Sequence, residues 1–194
     1  MYCKNISIIT NAIESVNEAQ FTKLLESCES VLKSGHKVIA SGLGKNVPIC
    51  DKFVGTMLSL GLNAGFLHTN SAVHGDIGMV QPGDLVIMLT KSGSTAESVY
   101  LTELLQNRSK VEIWLLSFKE DSILSDRIGL DKSIIVNMEH EGDLWDIVPN
   151  NSTTINLIIL QSLAIELSKK MGISLADFKV NHPGGAIGDQ LRNK

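Results

Sequence analysis

Cysteine is scarce in this chain: three occur among 194 residues, and no two of them form a C-x-x-C pair. The odd number and wide spacing argue against a disulfide framework and against a zinc site. We therefore expect Cys3, Cys28 and Cys50 to be small buried or half-buried residues of a protein in a reducing cytoplasm.

Long hydrophobic runs and basic runs are also missing. The longest apolar stretch, 157–167, is interrupted by Gln161, Ser162 and Glu166, so no segment is expected to span a membrane. Residues 1–13 lack the continuous apolar core of a signal peptide. A formal net charge of −4 does not favour electrostatic binding to nucleic acid or to a membrane surface. We expect neither as a partner, so any bound phosphate must be held by local groups.

Short apolar segments alternate with helical patterns along the chain. This alternation predicts an α/β fold with a doubly wound, five-stranded parallel sheet between helices, a flavodoxin-like three-layer sandwich. Apolar spacing predicts one or two leading helices over about 5–34, packed either on a neighbouring subunit or on the chain's own sheet. No repeat or linker divides the sequence, so residues 1–194 are expected to form a single domain. The predicted strands are 37–41, 64–68, one starting at 85, 111–118 and 133–138.

The stretch 84–97 is typical of a buried strand, a turn of small residues and the start of a helix. Ser92, Ser94 and Thr95 place three hydroxyls in four residues, and Gly93 lets the backbone approach a ligand closely. Ser94 or Thr95 is expected to cap the helix, which leaves its first N–H groups facing outward. The pattern indicates a phosphate site, although a serine-rich helix cap without a ligand has the same sequence.

Other polar residues fall at the ends of predicted elements. Lys45 follows a glycine-bearing turn and precedes a predicted helix over 47–60; we interpret it as a cation aimed at an anionic substrate, with a solvated surface lysine as the alternative. Glu141 lies in an irregular acidic connection. The hydroxyls of 152–154 are expected to cap a long, deeply buried helix that ends at Lys170. His182 is expected in a terminal loop fixed by proline and glycine.

In this order, the motifs resemble the sugar isomerase (SIS) domain and, within it, the D-arabinose 5-phosphate isomerases. The resemblance covers roughly residues 37–191. It implies an aldose–ketose isomerase that interconverts D-ribulose 5-phosphate and D-arabinose 5-phosphate through an enediol, without a metal or a cofactor. The matching segments are 42–45, 74–79, 92–97, Pro149 with 152–154, and 181–188.

The resemblance also implies the residues of the active site. Those with implied catalytic roles are Lys45, His74, Glu97, Glu141 and His182. Those implied in phosphate binding are Ser41, Gly44, Asn46, Ser92, Gly93, Ser94, Thr95 and Ser152. For His74 a turn-pinning role, and for Glu97 a helix-dipole role, are the structural alternatives.

Isomerisation requires ring opening, proton transfer between C1 and C2, and stabilisation of an oxyanion. We expect Glu141 or Glu97 to be the enediol base and His182 to be the ring-opening acid or base, since environment can bring their pKa values near neutrality. Lys45 is expected to stabilise the oxyanion. A terminal loop such as that of His182 can reach across an interface, so we expect a homo-oligomer, a tetramer, with shared active sites.

Two other functions stay open. One is an SIS isomerase acting on a hexulose or heptose phosphate, and the other is a phosphosugar-sensing module without turnover. The chain also departs from the family pattern: Asn46 stands where serine is usual, Lys91 where asparagine is usual, and two asparagines precede Ser152. Many family members continue into a pair of regulatory cystathionine-β-synthase-type domains, so we interpret this chain as the short, SIS-only form.

Overall fold

Five parallel strands form the centre of the molecule. The structure is a computed structural model that describes residues 2–192. Within that range the strands lie in the order β2-β1-β3-β4-β5, which confirms the predicted parallel α/β sheet. The strands are β1 (Val38–Gly42), β2 (Ala64–His68), β3 (Leu85–Leu89), β4 (Glu112–Ser117) and β5 (Ser133–Ile135).

The predicted leading helical segment forms two helices. They are separated at Asn17, whose side-chain oxygen accepts hydrogen bonds from the N–H groups of Ala19 and Gln20 and so caps the second helix. The helices are α1 (Tyr2–Glu14), α2 (Glu18–Lys33), α3 (Val47–Ser59), α4 (Thr69–Ala72), α5 (Ala96–Gln106), α6 (Ile123–Ile128), α7 (Asn151–Lys170), α8 (Leu175–Val180) and α9 (Gly185–Arg192).

Successive strand residues belong to two different cores, one on each face of the sheet. Val38 and Ala40 of β1 pack with residues of α1, α2, α3 and α7. Ile39 between them packs with residues of α4, α5 and α6. This alternation follows from the two-residue side-chain period of a strand. Because both faces are covered, the strands are almost continuously apolar, and the predicted three-layer arrangement is confirmed.

Helix α7 is less buried than its apolar sequence suggested. Leu160, Leu163 and Leu167 are fully buried, but Ile158 and Ile165 are 38% and 46% exposed. The expectation of deep burial is therefore wrong for one side of this helix. It belongs to the outer layer, where α1, α2 and α3 cover only part of its circumference.

The C-terminal segment is more helical than expected. In place of a continuous loop, α8 and α9 flank His182. The sequence signal for α8 is a capping box: the Ser174 hydroxyl accepts from the Asp177 N–H, and the Asp177 carboxylate accepts from the Ser174 N–H. The loop prediction holds only for the short connection between the two helices.

Two of the three cysteines are buried, and one is exposed. Cys28 and Cys50 are buried as expected, whereas Cys3 is exposed, which contradicts the expectation for that residue. Burial raises the pKa of the Cys50 thiol to about 12, so this thiol is protonated at neutral pH.

Between residues 2 and 192, no helix is both long and apolar enough to cross a bilayer.

Leu101 tests the core between the sheet and α5, because its side chain is fully buried there. Leu101→Ala is expected to lower the free energy of unfolding by about 2–5 kcal/mol, since it removes buried methyl groups and leaves a cavity. Leu58→Ala, at a position 52% exposed, is the control and is expected to cost about 0.5 kcal/mol or less. Urea unfolding followed by circular dichroism measures both, and equal losses would contradict the assignment of Leu101 to the core.

Candidate active site at the carboxyl edge of the sheet

A cavity of about 250 Å³ opens where β1 and β3 end. The carboxyl ends of neighbouring parallel strands are the usual ligand position in a doubly wound sheet. The walls of the cavity are formed by the turn after β1 (43–46, the β1 turn), the turn after β3 (90–95, the β3 turn) and the start of α7. The lining residues are Leu43, Gly44, Lys45, Asn46, Leu89, Thr90, Lys91, Ser92, Thr95, Ser98, Pro149, Ser152, Thr153 and Asn156.

The β3 turn presents its hydroxyls without using them as a helix cap. Thr95 occupies the N-cap position of α5 but makes no side-chain cap hydrogen bond. Its Oγ1 instead lies 3.4 Å from Ser92 Oγ, and Ser94 Oγ donates to the Ser92 carbonyl at 3.4 Å. Thr95 is therefore the N-cap residue, as expected, but its side chain makes no cap hydrogen bond. The positive end of the α5 dipole remains open to an anion.

Gly93 shapes the β3 turn from beneath. Its φ of +64° lies in the left-handed region, and a Cβ at this position would collide with the Ser122 hydroxyl. The Gly93 N–H donates to Thr90 Oγ1 at 3.1 Å, and its carbonyl accepts from the Leu124 N–H at 2.9 Å. The structure thus places this predicted phosphate residue as a buried support for the turn.

The β1 turn contributes a cation and an amide to the cavity. Lys45 is exposed and lines the cavity together with Gly44 and Asn46. Asn46 Oδ1 accepts a hydrogen bond from Asn156 Nδ2 at 3.0 Å. Ser41, also predicted in phosphate binding, is fully buried on β1. Its Oγ lies 3.4 Å from Thr69 Oγ1, so it sits beneath the turn.

The carboxylate of Glu141 is fully buried beside the cavity and anchors the start of α7. Oε1 accepts hydrogen bonds from Ser152 Oγ at 2.6 Å and from Lys91 Nζ at 2.8 Å. Oε2 accepts from the N–H groups of Asn150 at 3.0 Å and of Ser152 at 2.9 Å. The predicted cap from the hydroxyls of 152–154 is therefore wrong, because a carboxylate from the preceding connection takes that place.

These contacts determine the ionisation of Glu141. Burial by itself raises the pKa of the Glu141 carboxyl, but hydrogen bonds from Lys91, Ser152 and Asn150 outweigh it and hold the pKa below the ordinary 4.5. Glu141 is consequently an anion at neutral pH. Four donors occupy the sites at which its two oxygens accept hydrogen bonds, so in this arrangement the carboxylate acts as an anchor for Ser152 and Lys91.

His74 and Glu97 lie together in a second cavity, of about 300 Å³. Both side chains are exposed, and Tyr100 also lines this cavity. The first turn of α5 separates the two cavities, since Thr95 lines the first and Glu97 lines the second. In the described part of the chain, no group of three or more His, Cys, Asp or Glu side chains is arranged to hold a metal ion.

His182 lies at a third place. Its Nε2 is 2.7 Å from Ser59 Oγ, and its ring stacks on Phe178 with centroids 3.9 Å apart. Ser59 is the last residue of the 13-residue helix α3, which begins next to Lys45. A helix of that length spans about 20 Å. Within one chain, therefore, His182 stays far from the cavity that contains Lys45.

Two features, one of them in the wall of the first cavity, were not predicted from the sequence. Asn156 lines it from α7, and no local pattern marks an isolated helical asparagine as a site residue. The connection before α7 also exposes Leu144, Trp145 and Ile147, which are 86%, 68% and 72% exposed. A signal for this second feature was present, since apolar side chains this large are unusual in an acidic connection.

The profile of the SIS domain matches residues 31–161, and the chain belongs to this family. A Pseudomonas aeruginosa relative named arabinose 5-phosphate isomerase KdsD is 31% identical over 97% of this chain.

Two solved structures are similar over nearly the whole chain. One is a Bacteroides fragilis protein described as a phosphosugar isomerase involved in capsule formation: it has a TM-score of 0.87 and 25% identity, over 95% of this chain and 96% of that one. The other is an Escherichia coli CFT073 protein solved in complex with a ligand, with a TM-score of 0.82 and 30% identity over 92% of each chain. The chain spans about half the length of the curated relatives that it matches, 57% in the case of the P. aeruginosa protein.

Glu141 gives a pH-dependent prediction for stability. At pH 7, Glu141→Gln is expected to lower the free energy of unfolding by about 1.5–3 kcal/mol, the range for hydrogen bonds to a charged group. The pKa of Glu141 is lower in the folded state, so its stabilisation is present above the ordinary value of 4.5 and disappears as pH falls through the folded-state pKa. The difference from wild type should therefore shrink below pH 4.5.

Urea unfolding across pH measures this difference. Glu139→Gln, at an exposed position in the same connection, is the control and is expected to change stability by about 0.5 kcal/mol or less. A Glu141→Gln difference that stayed constant between pH 7 and pH 3 would contradict the anchoring role of the charged carboxylate.

Proposed function

We propose that this chain is a cytoplasmic aldose–ketose isomerase that interconverts D-arabinose 5-phosphate and D-ribulose 5-phosphate through an enediol intermediate. The observation that carries the proposal is a cavity in which an uncapped helix start and turn hydroxyls lie together with Lys45 and Lys91. The P. aeruginosa relative bears the name of this activity, and we interpret the ligand of the E. coli complex as arabinose 5-phosphate.

The phosphate of the substrate binds at the β3 turn. Ser92 and Thr95 supply hydroxyl donors, and the first N–H groups of α5 add the partial positive charge of the helix. Lys91 lines the same cavity while its Nζ contacts Glu141. Although the whole chain carries a net charge of −4, this local arrangement is suited to an anion.

Lys45 stabilises the oxyanion of the enediolate. An electrostatic donor in such a position contributes about 3 kcal/mol to transition-state stabilisation. Of the two candidate bases, Glu97 is better placed to accept a proton, because the oxygens of Glu141 already accept from Lys91, Ser152 and Asn150. The low pKa of Glu141 also makes it a weak base. Because Glu97 and His74 line the second cavity and not the cavity of Lys45, we assign proton transfer to Glu97 of the partner subunit, with His74 beside it, and a positioning role to Glu141.

The active site is shared between subunits of a homo-oligomer, which we propose to be a tetramer. His182 lies about 20 Å from Lys45 in one chain, judged by the length of α3. The connection that ends at Pro149 in the cavity wall also exposes Leu144, Trp145 and Ile147, which a second copy of the chain can cover. In this arrangement, His182 of the partner subunit completes the cavity and serves ring opening.

Isotope exchange tests the reaction. The protein is incubated with D-arabinose 5-phosphate in deuterated water and the sugar is followed by proton NMR. Formation of ribulose 5-phosphate, with deuterium at the carbon next to the carbonyl, is the expected outcome of an enediol route. Turnover of a hexulose or heptose phosphate in its place would overturn the substrate assignment, and binding of phosphosugars without exchange would favour a sensor.

Complementation between inactive variants tests the shared site. Lys45→Ala is expected to lower kcat about 100-fold, the effect of losing one oxyanion donor, and His182→Ala is expected to be comparably impaired. Co-expression of the two produces mixed oligomers in which some sites retain both residues, so activity should return. Each variant co-expressed with itself is the control. An active monomer in light scattering, or no recovery in mixed oligomers, would contradict the shared site.

A further inference from the structure

Asn156 is a buried amide on α7. It lines the first cavity, and its side chain lies one helical turn after Ser152, on the same side of α7. The residue is 1% exposed. Its Nδ2 donates to Asn46 Oδ1 at 3.0 Å, but its Oδ1 has no hydrogen-bond partner within the described chain.

An unpaired amide oxygen at this position calls for an explanation, because buried polar atoms in folded proteins nearly always have a partner. Gln20 and Gln161 also contain an unpaired buried atom, but neither of them lines this cavity. The contact with Asn46 fixes the Asn156 side chain at the cavity wall. A ligand in the cavity can therefore provide the donor that the protein does not.

The chemistry of the oxygen selects the part of the ligand that it meets. Oδ1 of an amide accepts hydrogen bonds and cannot donate them. The dianion of a phosphate monoester presents only acceptor oxygens, so the phosphate group cannot satisfy Asn156. A hydroxyl group of a sugar can donate a hydrogen bond to this oxygen. In the proposed function the phosphate binds at the β3 turn, whereas Asn156 and Asn46 belong to α7 and the β1 turn.

We propose that Asn156, held in place by Asn46, accepts a hydrogen bond from a hydroxyl of the sugar chain and so distinguishes a polyhydroxylated phosphate from other phosphate monoesters. The inference rests on the proposed function and adds to it a residue that recognises the hydroxyl groups of the sugar. Asn156 then determines affinity for the sugar portion of the substrate, and Ser92 and Thr95 determine affinity for its phosphate.

A pair of variants with the same shape tests the hydrogen bond. Asn156→Val and Asn156→Thr introduce side chains of the same shape, which differ by one hydroxyl that can accept or donate a hydrogen bond; the methyl phosphate measurement shows whether that hydroxyl donates to the phosphate instead. Isothermal titration at pH 8 measures the affinity for arabinose 5-phosphate and for methyl phosphate, a monoester dianion without hydroxyl donors. Gln161→Met, on the same helix but away from this cavity, is the matched control.

Asn156→Val is expected to weaken binding of arabinose 5-phosphate about tenfold, the effect of losing one such hydrogen bond. Asn156→Thr should bind it more tightly than the valine variant. Methyl phosphate should bind all proteins equally, and Gln161→Met should match wild type. In steady-state kinetics, the valine variant should raise KM more than it lowers kcat.

The outcomes separate this inference from the proposed function. If wild type turns over arabinose 5-phosphate but binds it no more tightly than Asn156→Val does, the role of Asn156 is overturned and the isomerase proposal stands. Equal affinities of the threonine and valine variants, or an equal loss of methyl phosphate binding, would also overturn it. Tenfold weaker binding by Asn156→Val in a protein without turnover would support the contact and overturn the isomerase proposal. No sugar-phosphate binding by wild type would overturn both.

Discussion

The buried carboxylate of Glu141 joins the segments that form the candidate active site. It accepts hydrogen bonds from Lys91 of the β3 turn and from Asn150 and Ser152 at the start of α7. An unpaired charge in this position would be costly. Four donors, and the positive end of a helix of 20 residues, make it stable here. The positions of Ser152 and Lys91 in the cavity wall depend on this one anion.

The sheet explains why the polar turns meet. Parallel strands end at one edge, and β1 and β3 are neighbours in the sheet although β2 lies between them in sequence. The β1 turn and the β3 turn therefore form two walls of one cavity. Each has a separate chemical property: Lys45 contributes an exposed cation, while Ser92 and Thr95 contribute hydroxyls next to the start of α5. Together they suit an anionic substrate with a reacting end some distance from its phosphate.

The same chain leaves its implied catalytic residues in three separate places. Lys45 lines the first cavity, and Glu141 is buried beside that cavity. His74 and Glu97 share a second cavity. His182 packs on Phe178 at the far end of α3. The connection that includes exposed Trp145 ends at Pro149, in the wall of the first cavity. The proposed oligomer would relate the last two observations, because one association would bury apolar surface and bring a second histidine to the cavity. The fold that positions these residues belongs to the SIS domain family.

The sequence by itself determined the sheet, the alternation of helices and the polar turns, because strand period, turn glycines and apolar spacing are local properties. The capping box of α8 is likewise a local pattern in the sequence. Only the tertiary structure decided that Glu141 caps α7, that Ser41 lies beneath the β1 turn, and that Asn156 meets Asn46. Those pairings join segments distant in sequence. Their geometry depends on how the layers pack, which no local pattern encodes.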